Sequence, residues 1–441
     1  MVRRLKVPTP VETAGIESLD QEGRGVTHVG GKAVFVDGAL PGEEVRFRRT
    51  RRQRRHDEAV VVEVLRASPE RRTPRCPHFG TCGGCALQHL EHGAQLAAKG
   101  RVVADTLVRI GGITPGEWLP PLIGPGFGYR RRARLGCKYV DRKGKVLVGF
   151  RERSSPLIAD LAACEVLAAP VGAQLTALSE LVASLGIRRR VAQIEVAVGD
   201  NAAALVLRVL DEPDAADLDR LRAFEARYGV ALYLQPGGLD TVRPLTVPAV
   251  PLRYDLPGLP AGIEFSPTDF IQVNGALNRL MVARAVELLD PRPADRVLDL
   301  FCGLGNFSLP LAQRAAGVDG VEGDAGLVAR ARANAARNGI ANVTFHAANL
   351  AAESQARDWA RTVYDLVLLD PPRAGAREIL PVAASSRPRR LVYVSCHPGS
   401  FARDAGILAG QLGYRLAAAG IMDMFPHTSH VETIALFERA P

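Results

Sequence analysis

The chain has 441 residues, of which 47% are hydrophobic, so it is long enough for two or three domains with cores of their own. Its formal net charge is +9 and arginine far outnumbers lysine, so a nucleic acid is the expected partner, because guanidinium groups pair with phosphates. No apolar run follows the basic residues 1–8 and no uncharged stretch of about 18 apolar residues occurs, which argues against a membrane protein and predicts a cytoplasmic location.

Residues 1–67 are predicted to form a small β-barrel. Alternating apolar and polar residues around several glycines predict short strands over 34–36, 44–47 and 59–64. The last two strands are separated by a run rich in arginine, which fits a solvated hairpin about as well as a phosphate-binding finger. These arginines are Arg48, Arg49, Arg51, Arg52, Arg54 and Arg55. A glycine-rich barrel with a basic hairpin resembles the TRAM domain, a module attached to RNA-modifying enzymes.

A cysteine cluster follows the barrel. Cys76, Cys82 and Cys85 fall within ten residues, two glycines allow a tight turn between the last two, and Cys164 could complete a set of four ligands. In a cytosolic chain this pattern predicts a metal centre before disulfides. Tetrahedral zinc, with His78 or His89 as substitute ligands, is the competing occupant. Zinc sites more often pair two Cys-x-x-Cys knuckles and only one is present, so an iron–sulfur cluster is preferred.

The middle of the chain is predicted to be a central α+β domain. A helix is expected over residues 88–110, and strands over 134–140, 145–150, 193–198 and 203–209 alternate with helices over 170–185 and 216–228. The basic run that follows Tyr129 fits an RNA contact or a strand edge protected by arginines. Cys137 shares a strand face with apolar residues and is interpreted as a core residue.

From residue 263 the pattern becomes strand, glycine-rich turn and helix. The run from Asp299 to Phe307 is a strand entering a glycine turn, and a second strand ends at Glu322, where an acid can bind ribose hydroxyls. The turn lacks the dinucleotide pattern, which favours S-adenosylmethionine over a nicotinamide. Asn349, after a third strand, could reach the adenine.

Two further strand ends carry reactive groups. Asp370-Pro-Pro-Arg373 follows the fourth strand, and Cys396 follows the fifth as a candidate nucleophile or, alternatively, as an ordinary core residue. An acid followed by Pro-Pro at the fourth strand end resembles the motif of methyltransferases that act on planar bases. If that planar base is uracil, its carbon 5 becomes nucleophilic once a thiolate adds to carbon 6, and a general base must then remove the carbon 5 proton. Glu432 is the candidate base, with a structural salt-bridge role and the nearby His430 as alternatives.

These motifs occur in one order along nearly the whole chain, and together they resemble the bacterial uracil-5 RNA methyltransferases, most closely the members that modify 23S rRNA. The resemblance implies three parts: a TRAM barrel over 1–67, a cluster segment with a central domain over 68–262, and a Rossmann-like α/β methyltransferase domain over 263–441. In addition, the helix near 94–112 is expected to pack on the catalytic domain. A monomer is expected.

The resemblance also assigns residues by their motifs. Cys396 matches the nucleophile and Glu432 the base. Cys76, Cys82, Cys85 and Cys164 match the ligands of a 4Fe-4S cluster. The S-adenosylmethionine pocket is matched by Gln272, Phe301, Asn306, Glu322, Asn349 and Asp370. His397 departs from the family, in which asparagine commonly follows the nucleophile, and this leaves its role open.

Alternative functions remain at this point. The tRNA-directed relative is expected to lack the barrel and the cluster, which favours 23S rRNA over tRNA. The runner-up is the same chemistry on a different rRNA uridine or on tRNA. A protein of another class would bind RNA and sense redox state with a vestigial methyltransferase fold, although intact Cys396 and Glu432 speak against it.

Overall fold

The computed structural model describes residues 3–4, 10–350 and 358–440. Most of the basic stretch 1–8, on which the predicted location partly depends, lies outside these ranges. The chain forms two compact units. The first unit consists of Met1–Val102, Arg151–Leu157 and Phe425–His430, and the second unit of Val103–Phe150, Ile158–Met424 and Val431–Pro441. The three-part division expected from the sequence stays a prediction.

The first unit contains the expected barrel. The described strands run in the order β1-β6-β7-β5-β4-β3, with β2 paired to β6. Alternate residues such as Val34, Val36, Val45 and Phe47 point inward and are fully buried. The strands are β1 Arg3–Arg4, β2 Val11–Gly15, β3 Ser18–Leu19, β4 Gly25–Val29, β5 Lys32–Asp37, β6 Glu44–Arg52 and β7 His56–Arg66.

The arginine-rich run forms a hairpin, as one of the two interpretations expected, because β6 and β7 pair antiparallel; the predicted strand 44–47 was too short, since residues 48–52 belong to β6. Strand β6 continues to Arg52, and the turn before β7 spans only 53–55. Arg49 turns inward and pairs with Glu12, at 2.7 Å between Nε and Oε1, and with the buried Asp57. The other side chains of this run are exposed or partly exposed, so Arg49 stabilises the barrel while its neighbours face solvent.

A helix follows the cysteine segment. Helix α1, His92–Thr106, begins four residues later than expected and continues as a π-helical segment, Leu107–Gly111, which packs against helix α9 of the second unit, described below. In the part of the chain that the structure describes, no helix is long and apolar enough to span a membrane.

The described part of the second unit holds two large sheets and a two-stranded hairpin, and the first large sheet has the order β10-β9-β11-β12-β13-β14. All four predicted strands are confirmed, and Cys137 is buried as expected. The elements are β8 Glu117–Trp118, which joins the other sheet, β9 Arg132–Val140, β10 Lys145–Gly149, α2 Leu175–Ser184, β11 Val191–Val198, β12 Ala203–Val209, α3 Ala215–Tyr228, β13 Val230–Gln235 and β14 Arg243–Pro244.

The arginines at the start of β9 are largely paired within the protein. Arg131 forms an ion pair with Asp200, and Arg132 donates to the Pro267 carbonyl oxygen. Arg134 pairs with Glu195 at 3.1 Å, yet 70% of its side chain is exposed. Arg131 and Arg132 are therefore held by contacts within the protein, whereas Arg134 alone of these three projects into solvent.

The second sheet has the order β19-β18-β17-β20-β21-β23-β22-β8. Strands β17 to β21 are parallel, whereas β23 is antiparallel to both neighbours, β21 and β22. A short hairpin, β15 Leu252–Tyr254 and β16 Ile263–Phe265, precedes this sheet. The remaining elements are α4 Gly275–Leu289, β17 Arg296–Leu300, α5 Ser308–Ala312, β18 Gly317–Glu322, α6 Ala325–Arg337, β19 Val343–Ala347, α7 Asp358–Arg361, β20 Leu366–Leu369, α8 Leu380–Ala383, β21 Arg390–Ser395, α9 Pro398–Gly410, β22 Tyr414–Met422 and β23 Glu432–Arg439.

Candidate active site

The predicted reactive groups lie along one edge of the large sheet. The carboxyl ends of parallel strands share an edge, so the strand order brings together Asp299 in β17, Glu322 at the end of β18, Asp370 after β20 and Cys396 after β21. Because β23 runs the opposite way, its first residue, Glu432, lies at the same edge. The candidate nucleophile, the candidate base and the predicted cofactor motif thus converge although they are spread over 134 residues of sequence.

Backbone pairing sets the relation between Cys396 and Glu432. Strands β21 and β23 pair with Ser395 opposite Thr433. Cys396 directly follows Ser395 and Glu432 directly precedes Thr433, so the two side chains extend from the same end of adjacent strands. The relative position of the two groups is therefore fixed by a hydrogen-bonded ladder.

The glycine turn after β17 forms a cradle bounded by Glu322. The N–H groups of Phe301 and Cys302 both donate to the Val321 carbonyl oxygen, at 2.9 and 3.1 Å. Gly303 has a φ of 53°, and no atom lies within 4 Å of the place of a Cβ. Its N–H donates to Glu322 Oε2 at 3.2 Å. The open backbone beside a carboxylate fits a ribose-bearing cofactor such as S-adenosylmethionine.

Asn306 is held by other side chains of the second unit. Its Oδ1 accepts from Asn278 Nδ2 at 2.9 Å and from the Tyr254 hydroxyl at 3.1 Å, and its Nδ2 donates to Asn278 Oδ1. This reciprocal amide pair joins the glycine turn to helix α4. The sequence pattern contained no signal for Asn278 or Tyr254, because both lie outside the recognised motif.

Gln272 lies on a loop that other parts of the second unit hold in place. Its Nε2 donates to Asp370 Oδ2 at 3.3 Å, and the next residue, Val273, accepts at its carbonyl from the Arg131 N–H at 2.8 Å. In the same loop the ring of Phe270 is 71% exposed, which sequence reasoning did not anticipate. Asn349, the remaining pocket residue, is exposed two residues beyond β19.

Asp299, Asp370 and Glu432 have raised pKa values. Burial raises the pKa of Asp299 to about 7, opposed by a hydrogen bond from the Ser308 hydroxyl, while its Oδ1 has no hydrogen-bond partner among the residues that the structure describes. Burial likewise raises the pKa of Asp370 to about 7. Burial and then the charge of Asp370 raise the pKa of Glu432 to about 8, although Arg373 opposes this. Glu432 is therefore a stronger base than an ordinary carboxylate.

The Cys396 side chain is partly buried and resists ionisation. Burial, followed by the charges of Glu432 and Asp370, raises the pKa of its thiol to about 11, and the exposed Arg373 acts in the opposite direction. Since the two groups are coupled, a proton on Glu432 makes the Cys396 thiolate easier to form. The arrangement suits a nucleophile that ionises only as a substrate is bound.

His397 caps the helix that follows the nucleophile. Its Nδ1 accepts a hydrogen bond from the Ser400 N–H at 3.2 Å, as the N-cap of α9. Asparagine, the residue common here in the family that the sequence resembles, is one of the best N-cap residues. The substitution thus preserves the helix start, and burial lowers the pKa of the imidazole, which keeps it a hydrogen-bond acceptor.

A buried carboxylate anchors the loop that follows Asp370. Asp404 of α9 accepts from the Ala376 N–H at 2.7 Å and from the Tyr393 hydroxyl at 2.7 Å. The Ser400 hydroxyl donates to the Arg373 carbonyl oxygen at 2.9 Å. Helix α9 therefore holds the loop of Arg373 by hydrogen bonds, and the same helix follows Cys396 in the chain. The rival base, His430, lies in the first unit with its ring against Phe425.

Three of the predicted metal ligands share one loop of the first unit. Cys76, Cys82 and Cys85 are partly exposed, and Cys82 Sγ accepts the Gly84 N–H at 3.4 Å, as thiolates of metal centres commonly do. Cys164 belongs to the second unit. Over the described ranges, no group of three or more Cys, His, Asp or Glu side chains is gathered closely enough to hold a metal ion. His89 is buried against Phe79, and burial lowers its pKa to about 4.

Comparison with known proteins shows the family of this chain. A family model described as tRNA (Uracil-5-)-methyltransferase matches residues 262–440. The chain is 51% identical, over 98% of both chains, to 23S rRNA (uracil(1939)-C(5))-methyltransferase RlmD of Stenotrophomonas maltophilia strain K279a, and equally so to RlmD of Xanthomonas oryzae pv. oryzae strain MAFF 311018. The solved structure of Pyrococcus abyssi tRNA (uracil-54, C5)-methyltransferase in complex with S-adenosyl-L-homocysteine covers 96% of this chain and 99% of that chain, with 25% identity and a TM-score of 0.74.

The same comparisons correct one sequence argument. Residues 13–69 match the TRAM-domain model of tRNA (uracil(54)-C(5))-methyltransferase, and the archaeal tRNA enzyme aligns with nearly the whole chain. The expectation that a tRNA-directed relative lacks the barrel was therefore wrong, and the barrel by itself does not distinguish rRNA from tRNA. The fold class is confirmed, with its TRAM barrel, central α+β part and Rossmann-like sheet. This chain belongs to the RNA uracil-C5-methyltransferase family, together with the RlmD enzymes.

Proposed function

We propose that this protein methylates carbon 5 of one uridine of 23S rRNA, with S-adenosylmethionine as methyl donor. The observation that carries the proposal is 51% identity over 98% of both chains to enzymes named for uracil 1939 of 23S rRNA. The Cys396–Glu432 pair on adjacent strand ends supplies the groups that carbon 5 chemistry requires. We propose that the enzyme acts in the cytoplasm. We also propose that it acts as a monomer, because one chain carries all the proposed catalytic and cofactor-binding groups.

In the proposed mechanism, Cys396 Sγ adds to carbon 6 of uracil, which makes carbon 5 nucleophilic. Bound S-adenosylmethionine supplies the methyl group that carbon 5 takes up. The Glu432 carboxylate then removes the carbon 5 proton, the ring double bond forms again, and the Cys396 thiolate leaves. The raised pKa of Glu432 makes its ionised carboxylate a stronger acceptor for the carbon 5 proton than an ordinary carboxylate.

The cofactor is proposed to lie along the glycine turn. Glu322 would accept from the ribose hydroxyls, since each of its oxygens takes only one backbone N–H, from Gly303 and from Asp324. Gln272 and Asp370, already joined by a hydrogen bond, would face the methyl donor beside Phe301, and Asn349 would face the adenine. The amide pair of Asn306 would hold the turn in shape.

RNA is proposed to contact exposed cationic and aromatic groups. Arg48, Arg52, Arg54 and Arg55 face solvent on and beside β6, where they can neutralise phosphates. Phe270, exposed two residues before Gln272, can stack on a base.

A 4Fe-4S cluster is proposed on the cysteine loop. The thiolate donor set of Cys76, Cys82 and Cys85, together with the Gly84 N–H on Cys82, supports iron–sulfur chemistry, and the family resemblance adds Cys164 as fourth ligand. The cluster would shape the segment that holds it. The proposed reaction requires no electron.

Anaerobically purified protein is expected to contain about four iron and four sulfide per chain, as a 4Fe-4S cluster requires. Metal analysis with visible absorption measures this directly. Cys82→Ser should lose most of the iron, whereas Cys137→Ser, in the central sheet, should retain it. Wild-type protein that carries zinc in place of iron would refute the cluster.

The proposed substrate is tested by offering 23S rRNA and tRNA transcripts with labelled S-adenosylmethionine and mapping the methylated base. We expect label in one uridine of 23S rRNA, and a transcript in which that uridine is cytidine should take up none. Exclusive labelling of tRNA would contradict the rRNA assignment and favour the second candidate, which the archaeal tRNA enzyme represents. Cofactor binding without any transfer would instead favour a vestigial, redox-sensing RNA-binding protein.

A further inference from the structure

A short segment just before Glu432 belongs to a different unit from the chain on either side of it. Phe425–His430 is part of the first unit, whereas Met424 and Val431 belong to the second. Only Val431 separates this segment from Glu432. Whatever holds the segment in the first unit therefore determines how the chain enters strand β23.

The backbone of His427 is held by three hydrogen bonds within the first unit. Its carbonyl oxygen accepts from the N–H groups of Ala86 and Leu87, at 2.8 and 2.9 Å. Its own N–H donates to Gln95 Oε1 at 3.0 Å. His427 has a φ of 65°, a left-handed conformation that a side chain disfavours, so these contacts must impose it.

Gln95 is the centre of this arrangement. Its side chain is 1% exposed, and while Oε1 holds His427, Nε2 donates to the carbonyl oxygens of Leu87 and Leu90 at 3.0 and 2.8 Å. One buried amide thus joins the stretch that follows Cys85 to the segment that precedes Glu432. Lys99, one turn along α1, adds a second bond from Nζ to the Phe425 carbonyl oxygen at 3.0 Å.

We propose that Gln95 is a positioning residue for Glu432, and that it acts by holding His427 in its left-handed conformation. The inference rests on the proposed function, because it assigns Gln95 to the proton-removal step. Without the bond to Gln95 Oε1, His427 relaxes toward ordinary φ values and redirects the chain five residues before the carboxylate. Pairing of β23 with its neighbours limits the shift, so Glu432 moves slightly and remains in the site.

This position predicts an effect on one step of the reaction. Cys396 lies between β21 and α9, whereas the bonds of Gln95 go to Leu87, Leu90 and His427. Addition of Cys396 to carbon 6 should therefore keep its rate. Removal of the carbon 5 proton should slow, because a displacement of about 1 Å can reduce a step by roughly 100-fold.

The test is a single-turnover reaction of the full chain with 23S rRNA carrying tritium at uracil carbon 5. Covalent protein–RNA adduct is measured by denaturing electrophoresis, and proton removal by release of tritium. For Gln95→Met, which keeps the side-chain length without the amide, we expect adduct to form at the wild-type rate and tritium release to slow by about 10- to 100-fold. Lys99→Met should also lower the rate of tritium release relative to the rate of adduct formation, but by a smaller factor. Gln174→Met removes a buried glutamine of the second unit and should behave as wild type.

A merely structural role would reduce adduct formation and tritium release together, in proportion to the folded fraction, and this would overturn the proposal. An unchanged ratio in both Gln95→Met and Lys99→Met would overturn it too. Glu432→Gln and wild type are run in parallel. If wild type releases no tritium and forms no adduct, the proposed function has failed, whereas a failure confined to the Gln95 and Lys99 variants concerns only the positioning role.

Discussion

Cys396→Ala is expected to abolish methyl transfer to RNA while S-adenosylmethionine binding is retained. Carbon 5 of uracil is a poor nucleophile until a thiolate adds to carbon 6, and within the proposed mechanism Cys396 is the group that provides this thiolate. Loss of a covalent nucleophile typically reduces turnover by about 10⁴-fold or more. Transfer of labelled methyl groups measures the loss, and calorimetric titration with S-adenosylmethionine measures the retained binding.

The matched control for this variant is Cys137→Ala. Cys137 is buried in the central sheet, and burial raises the pKa of its thiol to about 12, so it is chemically inert at neutral pH. Its replacement is expected to lower stability slightly and leave methyl transfer intact. Undiminished transfer by Cys396→Ala would remove Cys396 from the mechanism.

Glu432→Gln is expected to trap a covalent complex between the protein and RNA. Glutamine cannot accept the carbon 5 proton, so the reaction proceeds through addition of Cys396 and uptake of the methyl group and then stops. Denaturing electrophoresis should show a methyl-labelled protein–RNA band that wild type forms only transiently. Glu195→Gln, which alters a buried glutamate of β11, should turn over without such a band. Absence of the band in Glu432→Gln would count against Glu432 as the base.

The raised pKa of Glu432 also predicts how the activity and the stability of the protein depend on pH. The base is the ionised carboxylate, so kcat/KM of wild type should rise as the pH increases toward and through about 8. Stability should change in the opposite direction. Between pH 4.5, the ordinary carboxyl pKa, and about pH 8, Glu432 is protonated in the folded protein and ionised in the unfolded chain. The free energy of unfolding therefore falls as the pH rises through this window. Above pH 8, Glu432→Gln should therefore melt at a higher temperature than wild type.

Local patterns predicted the elements of this fold well. Alternation in the barrel and strand–turn–helix periodicity in the methyltransferase part depend on residues close in sequence, and the structure has strands where these patterns placed them. The strand predicted over 44–47 was too short because the charged residues after it gave no apolar alternation, whereas Arg49 alternates into the barrel and pairs with Glu12 and Asp57. The many charged residues therefore hid the alternation of inward and outward side chains that is typical of a strand.

The site was predictable where a motif contains the chemistry, and not where support comes from elsewhere in the chain. Asp370, Cys396 and Glu432 end or begin strands, so topology brings them to one edge. The bond between Gln95 and His427 joins residues 332 positions apart, and no local pattern encodes such a pair. The capping role of His397 could have been recognised, since a polar side chain before Pro398 is a helix-start signal.

The place of β23 in the sheet has a consequence for how the protein is made. In the chain β23 follows β22, but in the sheet it lies between β21 and β22. During synthesis β22 therefore emerges before β23, its antiparallel partner, and the edge of β21 stays open until residues 432–439 have been translated. Glu432 is the first residue of that late strand, so within the proposed mechanism the step that completes the sheet also brings in the base. On that mechanism, a nascent chain that has exposed Cys396 cannot yet release a methylated product.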